Sequence, residues 1–113
     1  MLSSEPLRAV VVGAGAMGAA ATWCLARRGC RVTMLDRFGI GNDLASSSAS
    51  ETRIFRLSHV ERADVRLAVR ALELWHELER ESGEQLLYPS GLLQRGAFAL
   101  PMAEALRAEG VPG

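Results

Sequence analysis

The chain has 113 residues, 49% of them hydrophobic, which suffices for a modest core in one globular unit. Thirteen Lys and Arg residues balance thirteen Asp and Glu residues, so the broad positive field that nucleic acid or an anionic membrane surface requires is missing. These properties exclude a disordered tail and disfavour a nucleic-acid partner.

Two sequence features bear on location and on metal binding. The uncharged run from Ala9 to Ala26 has the length of a signal peptide or a short membrane span. It is rich in Ala and Gly, and its glycines stand at motif spacing, so we expect a soluble, cytoplasmic chain with no membrane partner. Cys24 and Cys30 have no His or Cys neighbours at metal-ligand spacing, so we predict reduced thiols and no metal site.

The first third of the chain predicts a β-α-β unit. Leu7–Val12 is a short, β-branched apolar run, which predicts a strand buried on both faces in a parallel sheet. Ala16–Arg28 predicts a helix that closes with a basic pair and has Gly29 at the C′ position. Cys30–Asp36 predicts the second strand, and the glycine-marked segment after it predicts a loop.

A longer amphipathic helix is predicted for Asp64–Ser82, with Gly83 ending it. Its apolar residues recur at spacings of three and four and so form one face: Val65, Ala68, Val69, Leu72, Trp75 and Leu78. We expect Trp75 to be a core residue of this face. His76 beside it is a lone histidine, which is more typical of the surface than of a metal or catalytic site.

The remaining part of the chain predicts one strand and one helix. Residues 91–100, GLLQRGAFAL, suggest a strand broken by glycine. Pro101 is suited to a first helical turn and opens PMAEALRAEG, which Gly110 closes.

The strongest chemical signal is GAGAMG, residues 13–18. Gly13 permits the tight turn out of the strand, Gly15 lets the backbone approach a pyrophosphate, and Gly18 allows the helix to pack closely. The first N–H groups of the helix point at the anion, which makes Ala16 and Met17 further cofactor-binding candidates. The pattern is weak alone, but here it lies between a predicted strand and a predicted helix.

An acidic residue stands where this motif requires one. Asp36 ends the second predicted strand, roughly twenty residues after the glycines, where a carboxylate accepts hydrogen bonds from ribose hydroxyls. Arg37 beside it is a further cofactor-binding candidate. The alternative is that the glycines merely serve a tight strand-to-helix turn. Thr22 is a slight misfit on the sheet-facing side of the helix, where small residues are usual.

The segment after Asp36 departs from nicotinamide-dependent dehydrogenases, which normally add a third strand there. This chain instead enters SSSASETRIFR, residues 46–56. Ser48 and Glu51 form an S-x-x-E capping box, which predicts a helical turn that offers N–H donors to phosphate. In a helical turn Arg53 and Arg56 share one face, whereas in an extended segment they point to opposite sides.

Four segments together resemble the N-terminus of the monomeric sarcosine oxidase and N-methyltryptophan oxidase family, within the D-amino-acid oxidase class of FAD enzymes: VVGAGAMG, LDRFG, SSSASETRIFR and RLAVRALELWHELERESGEQLLYPSGLL. The similarity covers Leu7 to about Leu93. Members of this family oxidise the C–N bond of secondary amino acids and pass a hydride equivalent to FAD and then to oxygen, releasing peroxide. The resemblance implies an α/β fold: a Rossmann-like FAD-binding β-α-β unit followed by helices, incomplete relative to the family's two-domain fold.

The resemblance also implies roles for individual residues. Gly13, Gly15 and Gly18 correspond to the FAD pyrophosphate site and Asp36 to the adenosine ribose site, while three residues correspond to the segment that lines FAD: Ser47, Ser48 and Thr52. Arg53 lies where an arginine is close to the flavin ring, and Arg56 where one pairs with the substrate carboxylate. We therefore take these two arginines as the catalytic candidates.

The match is imperfect in one segment and partial in length. Ala49 stands where a histidine is common in the family, and Ser50 where a glycine is. Members are several times longer, so the resemblance implies that residues 1–113 are the N-terminal part of the FAD-binding domain and that the substrate domain is mostly absent. We expect the chain alone to be inactive.

Three classes of function stay open from the sequence. The first is the FAD-binding part of an oxidase that acts on a small amine or amino acid. The second is a fragment of a nicotinamide-dependent dehydrogenase, and the third is a non-catalytic remnant or interaction module. The sequence does not identify the amine substrate or the oligomeric state.

Overall fold

The computed structural model describes residues 5–39 and 52–112, which fall into two compact units, Met1–Arg53 and Ile54–Gly113. The first unit contains a β-α-β arrangement and the second contains two helices. The helical turn predicted at Ser48 and Glu51 lies outside the described residues.

The first unit confirms the predicted β-α-β order. Strand β1 spans Arg8–Val12, helix α1 spans Ala16–Arg27, and strand β2 spans Arg31–Leu35. The two strands pair in parallel, with Arg8 opposite Arg31 and Val12 opposite Leu35. Helix α1 ends at Arg27, one residue before the predicted end, and Gly29 adopts a left-handed φ of 81° that lets the chain turn into β2. Both cysteines of this unit are free thiols.

The sheet of the first unit is covered on one face. Val11 packs toward α1, since its Cγ1 lies 3.5 Å from the position that a Cβ on Gly18 would take. On the opposite face Val12 is 84% exposed and Leu35 is 53% exposed. The expectation that β1 is buried on both faces is therefore wrong for this chain, because a single crossover helix covers a single face.

The second unit is built on two helices. Helix α2 spans Arg62–Ser82 and helix α3 spans Ala99–Ala108. The long amphipathic helix is confirmed and begins two residues earlier than predicted. Gly83 ends it with a left-handed φ of 73°. Four buried side chains form the core, two from each helix: Val65, Ala68, Met102 and Ala105.

Two expectations for the second unit are wrong. Residues 91–100 do not form a strand: the chain is irregular there until α3 begins at Ala99. Gly91 and Gly96 adopt left-handed φ values of 75° and 90°, which interrupt an extended run. Trp75 is 38% exposed rather than a core residue, because the buried positions of α2 lie more than a turn before it, at Val65 and Ala68.

A shared carboxylate joins the start of α2 to the end of α3. Arg62 Nε and Arg66 Nη1 donate to the same oxygen of Glu109, Oε1, at 2.6 and 2.8 Å. The hydrogen bond from Arg62 holds the pKa of the Glu109 carboxyl below its ordinary value. This pair of contacts fixes the two helices of the second unit against each other.

A second carboxylate, Glu79, anchors the chain that leaves α2. Its Oε1 accepts the backbone N–H groups of Leu86 and Leu87, both at 2.8 Å. His76 Nδ1 lies 2.9 Å from its Oε2. The Leu87 bond, followed by the His76 and Leu86 bonds, lowers the pKa of Glu79 from 4.5 to about 2.

We predict that Glu79 gives the chain an acid-dependent stability. Because its pKa in the folded state is lower than in the unfolded chain, its stabilising effect is complete above the ordinary pKa of 4.5 and is lost as the pH falls toward about 2. Urea unfolding at a series of pH values from 6 to 2 measures this loss. Glu79→Gln should flatten the pH dependence in that window, and Glu73→Gln on the same helix serves as the charge-matched control. An unaltered acid profile in Glu79→Gln would show that the ionisation of Glu79 does not contribute to stability.

One helix residue of the first unit carries an uncompensated polar atom. The Oγ1 atom of Thr22 in α1 is buried and has no hydrogen-bond partner in the structure. This agrees with its misfit at a sheet-facing position. A buried hydroxyl without a partner costs free energy relative to an apolar group of the same shape.

We predict that Thr22→Val stabilises the chain. Valine has nearly the same shape and removes the buried hydroxyl, so the free energy of unfolding should rise by about 1 kcal/mol. Chemical denaturation monitored by circular dichroism measures the change. Thr33→Val, on the exposed face of β2, is the control and should change stability by no more than about 0.5 kcal/mol. A loss of stability in Thr22→Val would show that the hydroxyl has a stabilising partner.

Candidate functional site

The glycine-rich loop joins β1 to α1 through a turn that requires glycine. Gly13 has a φ of 102°, a left-handed conformation that residues with a side chain rarely adopt. Its N–H donates to the carbonyl of Leu35 at 2.7 Å. The first position of the loop is thus fixed against the end of β2.

Gly18 is required for a different reason, which is close packing. A Cβ at this position would lie 1.8 Å from the carbonyl oxygen of Gly13, far inside any permitted contact. The first turn of α1 therefore rests directly on the backbone of the loop. The close strand-to-helix approach predicted from the motif is what the structure shows.

Neither a turn nor the contacts described for Gly13 and Gly18 account for Gly15. It is the N-cap of α1, with φ −71° and ψ −177°, angles that any residue adopts. The positive φ that requires glycine at Gly13 is therefore not the reason for Gly15, and glycine is among the residues found at helix N-caps. Close approach of a pyrophosphate to the backbone at Gly15 stays a prediction from the motif.

The N-terminus of α1 has the electrostatics of an anion site. Backbone N–H groups in the first turn of a helix have no acceptor inside the helix, and the helix dipole adds partial positive charge there. The first turn of α1 contains no acidic residue. Met17 in this turn has a largely exposed side chain.

Asp36 lies next to the glycine-rich loop, at the end of β2. Its Oδ2 accepts the N–H of Ala14 at 2.7 Å, and its Oδ1 accepts the N–H of Phe38 at 2.8 Å. The carboxylate is thus placed beside the pyrophosphate candidates, as the motif requires. The sequence did not predict the contact with Ala14, because no local pattern indicates a hydrogen bond between residues 22 positions apart. Arg37 extends from the same strand end, with its guanidinium 5.1 Å from the Phe38 ring centroid.

The described part of the serine and arginine segment is neither helix nor strand from Thr52 to Arg56. Arg53 Nη1 donates to the carbonyl of Thr52 at 2.8 Å. The helical arrangement that would place Arg53 and Arg56 on one face is not found in these residues. Ser47 and Ser48 lie outside the described residues.

An open groove of about 400 Å³ lies in the second unit beside Arg56. Its polar lining consists of Arg56, His59 and Asp64, and its other lining residues are apolar: Ile54, Phe55, Leu67, Ala68 and Ala71. The groove combines a cationic group, Arg56, and an anionic group, Asp64, with an apolar wall. Sequence reasoning missed His59 and Asp64, whose proximity to Arg56 depends on how the chain enters α2.

Residues 5–39 and 52–112 contain no group of three His, Cys, Asp or Glu side chains arranged to hold a metal ion. None of the helices they form is both long enough and apolar enough to cross a membrane.

Comparison with known proteins identifies one family. Residues 8–111 match the family described as FAD dependent oxidoreductase. A monomeric sarcosine oxidase of Bacillus sp. (strain B-0618) is 40% identical over 104 residues, which are 87% of this chain and 26% of that protein. The peroxisomal sarcosine oxidase of Homo sapiens is 33% identical over 88 residues, 78% of this chain and 22% of that protein.

A further relative is named for a different substrate. The N-methyl-L-tryptophan oxidase of Yersinia pestis (strain Pestoides F) is 34% identical over 88 residues, 77% of this chain and 24% of that protein. The chain thus spans about a quarter of the length of the curated relatives that it matches.

We predict that valine at two glycines of the loop has two different effects. Gly15→Val should abolish flavin binding and keep the secondary structure, because the backbone angles of Gly15 accept a side chain but a pyrophosphate cannot approach it. Gly18→Val should disrupt the β-α-β unit, because its side chain would overlap the carbonyl of Gly13. Visible absorbance of the purified protein reports flavin, and far-ultraviolet circular dichroism reports the fold. Undiminished flavin content in Gly15→Val would contradict the assignment of that glycine.

Proposed function

Because the chain belongs to the family of FAD-dependent oxidoreductases, we propose that it forms the FAD-binding N-terminal part of an enzyme that oxidises the C–N bond of a secondary amine or amino acid. Its similarity to proteins named sarcosine oxidase and N-methyl-L-tryptophan oxidase supports this substrate class. The observation that carries the cofactor assignment is the juxtaposition of the glycine-rich loop with the Asp36 carboxylate, 2.7 Å from the N–H of Ala14.

The residues present fit the phosphate and ribose portions of FAD. Gly13 and Gly18 shape the loop, Gly15 lets the pyrophosphate approach the backbone, and the N–H groups of Ala16 and Met17 donate to it. The Asp36 carboxylate accepts from the adenosine ribose. Further contacts to the cofactor are proposed for four residues: Arg37, Ser47, Ser48 and Thr52.

The flavin, when bound, supplies the acceptor for a hydride equivalent and returns the electrons to oxygen, giving peroxide. The task of the protein residues is to hold an amino-acid substrate with its C–N bond facing that acceptor. Arg53 is proposed to face the polar edge of the flavin. Arg56 is proposed to bind the substrate carboxylate.

The groove beside Arg56 supports the second of these roles. A guanidinium grips a carboxylate at two points in a plane, which a lysine ammonium does not. Arg56 is exposed and lines the groove with His59 and Asp64, next to apolar side chains that suit an uncharged N-alkyl or side-chain group. The alternative is a surface arginine whose stem covers apolar residues.

The two other classes of function have less support. A nicotinamide-dependent dehydrogenase normally continues its sheet after the second strand, and no third strand occurs within residues 52–112. A non-catalytic module does not require the pairing of the glycine-rich loop with the Asp36 carboxylate. The visible spectrum of the purified protein separates these classes, since bound flavin absorbs visible light and nicotinamide does not.

We predict that Arg56→Lys lowers catalytic efficiency selectively. In an enzyme that carries this N-terminal segment, kcat/KM for a secondary amino acid should fall. The fall should correspond to a loss of transition-state stabilisation of roughly 1.5 to 3 kcal/mol, the scale of a hydrogen bond to a charged group. The flavin content should stay intact, because Arg56 is assigned to the substrate and not to the cofactor. Steady-state peroxide production and the flavin absorbance of the same sample provide both measurements.

The matched substrate for this experiment is an amine of similar size that lacks a carboxylate. The Arg56→Lys variant should oxidise it with a much smaller loss, since the replaced contact is not made. Equal losses on both substrates, or no loss on either, would assign Arg56 to the scaffold.

A further inference from the structure

The Asp36 side chain makes a contact that ribose recognition does not require. Its two oxygens accept N–H groups from two different loops: Oδ2 from Ala14 at 2.7 Å and Oδ1 from Phe38 at 2.8 Å. Ala14 belongs to the glycine-rich loop after β1, and Phe38 follows β2. One carboxylate therefore ties together the two loops that flank the proposed dinucleotide site. Hydrogen bonds to a charged acceptor are among the stronger ones in proteins.

The bond to Ala14 acts together with a backbone bond one residue earlier. Gly13 donates to the carbonyl of Leu35 at 2.7 Å, and Ala14 donates to the side chain of the next residue, Asp36. Two consecutive N–H groups of the loop are thus held by two consecutive residues, the last residue of β2 and the residue that follows it. These two hydrogen bonds fix the direction of the backbone that leads into Gly15.

Binding energy is greater when a loop does not have to be ordered at the moment of binding. We propose that Asp36 is a positioning residue for the glycine-rich loop, which it holds in the conformation that accepts a pyrophosphate before any dinucleotide binds. The use of this ordered loop for FAD rests on the proposed function. A carboxylate offers about four acceptor positions, so bracing the loop and accepting ribose hydroxyls are compatible on the same side chain.

Asp36→Asn separates the two loop bonds. The amide has one oxygen and a nitrogen that only donates, so the two N–H groups that now meet different oxygens cannot both be accepted. Asn, like Asp, favours a hydrogen bond to the backbone two residues on, which preserves the Phe38 contact at the expense of Ala14. Arg31→Gln, at the opposite end of β2, is the control variant.

The first measurement is amide hydrogen exchange on the protein without flavin. The Ala14 amide should exchange about tenfold faster in Asp36→Asn than in the wild type, as expected for loss of roughly one hydrogen bond. It should be unchanged in Arg31→Gln. Asp36→Glu keeps both oxygens and should restore part of the protection. Equal exchange at Ala14 in the wild type and Asp36→Asn overturns the proposal.

The second measurement separates loop positioning from ribose recognition. An FAD analogue with a 2′,3′-dideoxyadenosine half cannot donate ribose hydroxyls to Asp36. If the carboxylate also positions the loop, the analogue should bind Asp36→Asn about threefold or more weakly than it binds the wild type. Equal analogue affinity in the two proteins overturns the positioning role in binding.

The two measurements also distinguish this inference from the proposed function. Failure of the wild type to bind FAD refutes the proposed function, while the exchange rate of the Ala14 amide still decides whether Asp36 holds the loop. If Asp36→Asn does not fold, Asp36→Ser, whose single short hydroxyl cannot accept from both loops, carries the comparison. Ala14 exchange in Asp36→Ser as slow as in the wild type, together with an unweakened analogue, overturns the proposal.

Discussion

The first unit depends on one close approach, that of α1 to the turn after β1. The chain passes so near itself that a single Cβ at Gly18 would lie 1.8 Å from the carbonyl oxygen of Gly13. This contact sets where the helix starts and directs its N-terminus at the space above the strand ends. The helix N-terminus at which we propose that the pyrophosphate binds is placed by this contact. Glycine is thus required at two positions of the loop for different physical reasons: the backbone conformation at Gly13 and the close approach of backbone at Gly18.

In three places a carboxylate fixes one segment of the chain to another. Asp36 holds the glycine-rich loop, Glu79 holds the segment after α2, and Glu109 holds the start of α2 against the end of α3. Each accepts more than one N–H group, and at Glu79 and Glu109 these bonds lower the pKa of the carboxyl. In a chain with few fully buried side chains among its described residues, such contacts define the geometry that packing alone leaves loose.

What the sequence predicted correctly was encoded locally. The glycines, the β-branched run and the three-four spacing predicted β1, α1, β2 and α2, because each signal acts within a few residues. The prediction of a strand in residues 91–100 was wrong, because it relied on the apolar residues there and did not account for the turns at Gly91 and Gly96. The predictions that Trp75 is a core residue and that β1 is buried on both faces were wrong for another reason. Burial depends on which elements pack nearby, and sequence periodicity does not identify those elements. The Asp36 contact with Ala14 was missed because it joins residues far apart in the chain.

The register of the two strands has a consequence for how the sequence tolerates insertions and deletions. Val12 pairs with Leu35, so the residues that follow them, Gly13 and Asp36, leave the sheet side by side. Side chains alternate along a strand, so inserting or deleting one residue within Arg31–Leu35 would turn Asp36 away from the loop. A length change in the turn between α1 and β2 leaves this alignment intact. Natural length variation in this segment is therefore expected to gather around Arg28 and Gly29 and to be absent from β2.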